Sequence, residues 1–83
     1  MENCMKNTIG KTVWEAFCDA YDFEESMTNE YVWKIYETSQ HNKCVDKNYA
    51  KNGYDNTAED QRIDNLTVKS VKVTDNTVRI YAC

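Results

Sequence analysis

From Val13 onward the apolar residues recur at steps of three and four: Val13, Trp14, Phe17, Cys18 and Tyr21. That spacing is one stripe of an α-helix. Its start is marked by Thr12-Val13-Trp14-Glu15, a capping box. In such a box the Thr hydroxyl accepts the amide three residues on and the Glu carboxylate reaches back. The pattern predicts a helix over 12–23.

Residues 30–38 fit two periods. Tyr31, Val32, Ile35 and Tyr36 make a helix face started by Thr28, whereas Tyr31, Trp33 and Ile35 alternate as in a strand. The aromatic and β-branched content favours the strand. Over 66–82 the alternation is plainer. A turn centred on Asp75-Asn76 pairs Thr74 with Thr77, Val73 with Val78, Lys72 with Arg79 and Val71 with Ile80. Val71, Val73, Val78 and Ile80 then share one face of a hairpin, and the polar residues the other. Leu66 and Val68 have the wrong parity for that face, and one extra residue near Lys69-Ser70 restores it, placing Val68 opposite Ala82. A two-stranded hairpin is marginal alone, so residues 30–38 are expected to supply a third strand and the helix to cover the sheet.

The segment 40–64 is rich in Asn, Asp and Lys. Cys44, Val45 and Tyr49 suit a short helical face stopped by Gly53, and Asn52-Gly53 suits a hairpin turn equally. Thr57-Ala58-Glu59-Asp60 suits a further helical turn that points Ile63 inward. The expected fold class is therefore α+β: one N-terminal amphipathic helix packed on a small antiparallel sheet ending in a C-terminal β-hairpin. Residues 1–83 form a single compact domain, with 1–9 as a flexible arm.

Length and composition narrow the function. A core built from 83 residues is thin and leaves little room for a deep substrate cavity. Proline is absent and glycine occurs only at Gly10 and Gly53, so no linker or low-complexity tract is built in. No apolar run approaches a membrane span, and the first eight residues lack the apolar segment of a secretory signal. A cytoplasmic protein with reduced thiols is the expectation for Cys4, Cys18, Cys44 and Cys83.

Charge adds a direction. Residues 1–40 hold eight acids and three bases (net −5), and residues 41–83 hold six acids and seven bases (net +1). Glu15, Asp19 and Asp22 fall on one helix stripe, opposite the apolar one. Asp22, Glu24 and Glu25 crowd the helix carboxyl end, where the macrodipole disfavours anions, and Glu30 follows. These six acids are the candidate partner-binding surface, suited to a basic, nucleic-acid-handling protein whose phosphate-binding surface they would occupy. A solvated acidic face is the plain alternative. A second candidate surface is the outer hairpin face with Lys72, Arg79 and Tyr81, which suits a β-ribbon that binds nucleic acid, although the net charge of −4 opposes it. A structural or assembly subunit is a further class.

Catalytic and metal chemistry find little support. His41-Asn42-Lys43-Cys44 is one H-x-x-C pair, which Cys4 and Cys18 would have to complete for zinc, whereas structural zinc sites use two closely spaced pairs. Glu15, Asp19 and Asp22 surround Cys18 and oppose its ionisation, against a Cys18–His41 nucleophile pair. No phosphate-binding loop, dinucleotide fingerprint or hydrolase elbow is present. The sequence points to a small acidic protein-binding module, an inhibitor that occupies a basic nucleic-acid-binding surface of a larger protein, without catalytic residues, metal or cofactor.

Overall fold

The computed structural model describes residues 8–47 and 58–83. Helix α1 spans Val13–Phe23 and opens with the capping box. The Glu15 amide donates to Thr12 Oγ1 at 3.1 Å, and the Thr12 amide donates to Glu15 Oε1 at 3.1 Å. Its buried stripe is Val13, Ala16, Phe17 and Ala20. The stripe is therefore centred on two alanines that a reading weighted by large side chains passes over. Small residues let the helix axis approach the sheet closely, and the stripe turns away from Tyr21, which is 47% exposed. Trp14 and Cys18 flank it, partly buried against the core. Replacing Thr12 by Ala removes the side-chain half of the cap. A loss of about 1 kcal/mol is expected, read as a fall in Tm of roughly 4–8 °C. An unchanged Tm would mean that the backbone contacts around Thr12 suffice.

A one-turn helix, α2 (Ser26–Asn29), leads into strand β1 (Val32–Glu37), which settles the 30–38 ambiguity in favour of a strand. A short 3-10 turn at Thr38–Gln40 follows. His41 and Asn42 then both take left-handed backbone angles, φ 56° and 57°, a region Asn and His enter more readily than most residues. The chain reverses there into β2 (Lys43–Lys47), antiparallel to β1 with Ile35 opposite Val45. The expected helical face of Cys44, Val45 and Tyr49 is thus corrected at its first two members. Pairing along β1 satisfies more backbone than an isolated polar helix would, and it leaves Val45 on the apolar side. Tyr49 and the Asn52-Gly53 turn lie outside the described residues.

Helix α3 (Ala58–Asp64) sends Ile63 into the core, fully buried. Strands β3 (Val68–Thr74) and β4 (Thr77–Ala82) form the C-terminal hairpin. Its register is Thr74 opposite Thr77, Val73 opposite Val78, Lys72 opposite Arg79 and Val71 opposite Ile80, with an irregularity between Val68 and Ser70 that returns Val68 to face Ala82.

The four strands lie in the order β2-β1-β4-β3. The class is α+β, but the sheet is mixed, because β1 runs parallel to β4 with Ile35 beside Ile80. The expectation of a wholly antiparallel sheet is corrected here. Two hairpins sit side by side with their inner strands parallel, and joining them takes a long crossover. The chain between Lys47 and Val68, which includes α3, supplies it.

One face of this sheet carries the core. Trp33 and Ile35 of β1, Val68 of β3, and Val78, Ile80 and Ala82 of β4 pack with α1 and with Ile63 of α3. Phe17 meets Trp33 edge-on at 5.8 Å between ring centroids, and Trp14 stacks on Phe17 at 5.3 Å. The start of the described chain is tied in as well. Thr8 is fully buried, the Gly10 amide donates to the Val68 carbonyl, and the Val68 amide donates to the Lys11 carbonyl. Gly10 has φ 91°, which a side chain would strain. The expected arm over 1–9 therefore does not include Thr8, and residues 1–7 lie outside the described residues. Among the described residues no helix is long and apolar enough to cross a membrane.

Candidate interaction surfaces

Two solvent-facing surfaces emerge, one on the helices and one on the sheet. On α1 the acids divide by what holds them. Glu15 belongs to the capping box, and hydrogen bonds from the Thr12 backbone and side chain keep its carboxyl below the usual carboxylate range. Asp19 pairs with Lys11 Nζ at 3.2 Å. Part of the predicted stripe is thus taken up by local structure.

At the carboxyl end the situation differs. Asp22 is exposed, and Glu24 caps the helix with its amide, which donates to the Ala20 carbonyl. The Glu24 carboxylate accepts from Ser26 Oγ at 2.9 Å. Glu25 and Glu30 flank α2, both exposed. The last turn of α1 holds no basic residue, and acids at that negative end of the dipole are disfavoured. Among them stand two aromatic rings, Tyr21 at 47% and Phe23 at 61% exposure. The apolar spacing of the sequence places Tyr21 in the buried stripe, and the structure instead leaves it half exposed. Tyr21 follows Phe17 by four residues and Phe23 follows Ala20 by three, so the two rings lie at the opposite margins of the stripe in the last turn of α1.

The opposite face of the sheet presents alternate residues of all four strands. Strand register sorts them into rows. The first row runs Cys44, Tyr36, Tyr81, Ser70, and the second runs Asp46, Lys34, Arg79, Lys72. Tyr36 and Tyr81 stack at 4.8 Å with their planes 13° apart, the spacing of neighbouring strands. Lys34 Nζ lies 3.1 Å from Asp46 Oδ1, and that hydrogen bond raises its pKa. Arg79 Nη1 donates to Thr74 Oγ1 at 2.6 Å. Lys72 and Tyr81 thus lie beside Arg79 as the hairpin register predicted. The parallel placement of β1 adds Lys34 and Tyr36, which the sequence reading did not bring there.

The cysteine candidates are dispersed. Cys18 packs beside the core on α1, where burial, then Asp22, Asp19 and Glu15, push its thiol pKa up. Cys44 lies on the far side of the sheet, exposed, with its Sγ 3.8 Å from Asp46 Oδ1. A sheet therefore separates two of the four residues considered for zinc, and Cys4 lies outside the described residues. Among the described residues no group of three or more His, Cys, Asp or Glu is arranged to hold a metal ion.

No protein-family model matches the chain, and neither curated proteins nor solved structures provide a match.

Proposed function

We propose that the protein is a small, non-catalytic, cytoplasmic binding module that docks the carboxyl end of α1 onto a basic surface of a larger, nucleic-acid-handling protein. In that position its carboxylates occupy the places of phosphates and inhibit the larger protein.

The observation that carries this reading is the exposure of Tyr21 and Phe23 among Asp22, Glu24 and Glu25. Fold stability accounts for neither feature. Acids at a helix carboxyl end are disfavoured, and a ring left in water forgoes burial worth about 1.5–3 kcal/mol. Aromatic anchors in a charged rim are what protein interfaces use: the rings supply desolvated contact and the charges steer encounter.

The test is affinity capture from the native host by the parent protein, by Phe23→Ala, and by the triple variant Asp22→Asn, Glu24→Gln, Glu25→Gln. The partner retained by the parent should be a basic nucleic-acid-binding protein, released as salt rises, and its nucleic-acid binding should fall when the parent is added. Phe23→Ala should dissociate about tenfold faster or more, and the triple variant should associate more slowly. A partner that holds all three proteins with equal rates would reduce these acids to a solvated face.

A further inference from the structure

The two rows on the open sheet face combine chemistries that the proposed docking surface does not use. Tyr36 and Tyr81 stand side by side at the centre of one row, flanked on the edge strands by the small residues Cys44 and Ser70. Each ring gives one face to the other. On their other sides the register neighbours of the two rings are the short side chains Cys44 and Ser70. In the next row Lys34, Arg79 and Lys72 follow one another across β1, β4 and β3, the neighbouring strands being about 4.8 Å apart. Asp46 offsets Lys34, while Arg79 and Lys72 have no carboxylate partner among the described residues. Every described helix that contributes to the core packs on the other face.

We infer that this face binds single-stranded nucleic acid, with bases stacked on the free faces of Tyr36 and Tyr81 and the phosphates along Lys34, Arg79 and Lys72. Charge complementarity selects the occupant. Among the described residues the two rows carry three cations against Asp46 alone, and the acids at the carboxyl end of α1 lie across the sheet. Aromatic platforms beside a cationic track are the arrangement that holds unpaired strands, because every base has a π-face. A duplex keeps its bases stacked on one another and cannot use the rings. The pair of rows is short, so the site covers a few nucleotides and discriminates little between sequences.

Fluorescence anisotropy with labelled oligo-dT and oligo-U of about 12 nucleotides, in about 50 mM salt, tests this. The parent should bind one or both with a Kd of roughly 1–100 µM, and the comparison tells whether DNA or RNA is preferred. A duplex of the same length should bind several-fold more weakly. Lys72→Ala with Arg79→Ala should weaken binding about tenfold and flatten its salt dependence. Tyr81→Leu, which keeps an apolar side chain, should weaken it by a similar factor with less change in the salt slope. Circular dichroism establishes that each variant is folded, and Lys72→Ala alone, at an exposed position, carries the test if another variant fails to fold. The triple variant at Asp22, Glu24 and Glu25 should bind no more weakly than the parent, which separates this site from the docking surface. Absence of saturable binding up to about 100 µM protein, equal affinity for duplex, or insensitivity to the Lys72 and Arg79 changes would each overturn the inference.

Discussion

Ile80→Asp should leave the chain unfolded at 25 °C, whereas Lys72→Glu, on the same hairpin, should leave its Tm within a few degrees of the parent. Ile80 lies at the centre of the core face, fully buried, on a strand paired on both sides by β1 and β3. A carboxylate there loses its water and gains no cation, and the neighbouring Ile35 and Val71 lose their apolar contact. Each effect costs several kcal/mol. The total stability of a domain this size is only about 4–12 kcal/mol. Lys72 is exposed and sits directly across from Arg79, so a Glu there replaces like-charge repulsion with attraction. Val73→Asp should fall between the two, since Val73 is half-buried at the edge of the core. Circular dichroism and thermal melts of the three variants give the order. Equal melting points for all three would be incompatible with the register of the hairpin.

What the sequence made legible follows from how far each constraint reaches along the chain. The capping box at Thr12 and Glu15, the turn at Asp75-Asn76 and the bulge beside Ser70 are all decided by residues within a few positions of one another. Period and parity read them directly. The placement of β1 against β4 is different, because Ile35 and Ile80 are 45 positions apart and an apolar strand is compatible with either direction. Direction is settled by the crossover through α3, whose sequence 58–64 is polar apart from Ala58 and Ile63 and gives a weak period. The same distance hid two of the five proposed contact residues on the open sheet face. Lys72, Arg79 and Tyr81 came with the hairpin register, but Lys34 and Tyr36 join them only once β1 is set beside β4.

Charge shows the same contrast between totals and placement. A net charge of −4 argued against a nucleic-acid surface, yet it sums two sides of a sheet that face different solvent. The acids at the carboxyl end of α1 lie on one side and Lys34, Arg79 and Lys72 on the other, separated by the core. At physiological ionic strength the screening length is about 8 Å, shorter than the roughly 10 Å thickness of a packed layer. Salt therefore attenuates the field that each surface casts on the partner of the other. An acidic module can for this reason carry a cationic face, and the two proposed sites are compatible in one small body.

Arg62→Met should lower the Tm by more than about 10 °C at pH 7 and reverse part of the pH dependence of stability. Glu37 ends β1 on the core side of the sheet, only 3% exposed. Arg62 of α3 clamps it with two hydrogen bonds, Nη1 to Oε2 at 2.6 Å and Nη2 to Oε1 at 2.9 Å. The same guanidinium binds Glu59 at 2.9 Å, and Lys47 pairs with Asp64 at 3.4 Å nearby, so α3 is fixed to the sheet by charge as well as by Ile63. The Arg62 hydrogen bonds outweigh burial and hold the Glu37 carboxyl below its ordinary value of 4.5; the Arg62 charge and Lys43 lower it further, and Glu59 opposes them. A depressed folded pKa means that the unfolded chain binds the proton first. The pair's contribution is then fully present above about pH 4.5 and is lost as the pH falls through the folded value. Without the guanidinium, burial and the Glu59 charge outweigh Lys43 and raise the Glu37 pKa above that of the unfolded chain. The folded state then binds the proton first, so the variant should gain stability as the pH falls from 7 toward 4.5, where the parent is level. Glu15, also depressed by its cap, contributes the same acid loss to both proteins and cancels in the difference. Adding Glu37→Gln to Arg62→Met should abolish the difference in slope, since no proton is then exchanged at that site. Thermal melts of the three proteins from pH 4 to 7 supply the comparison, and an Arg62→Met profile parallel to the parent's would show that the clamp does not hold α3 in place.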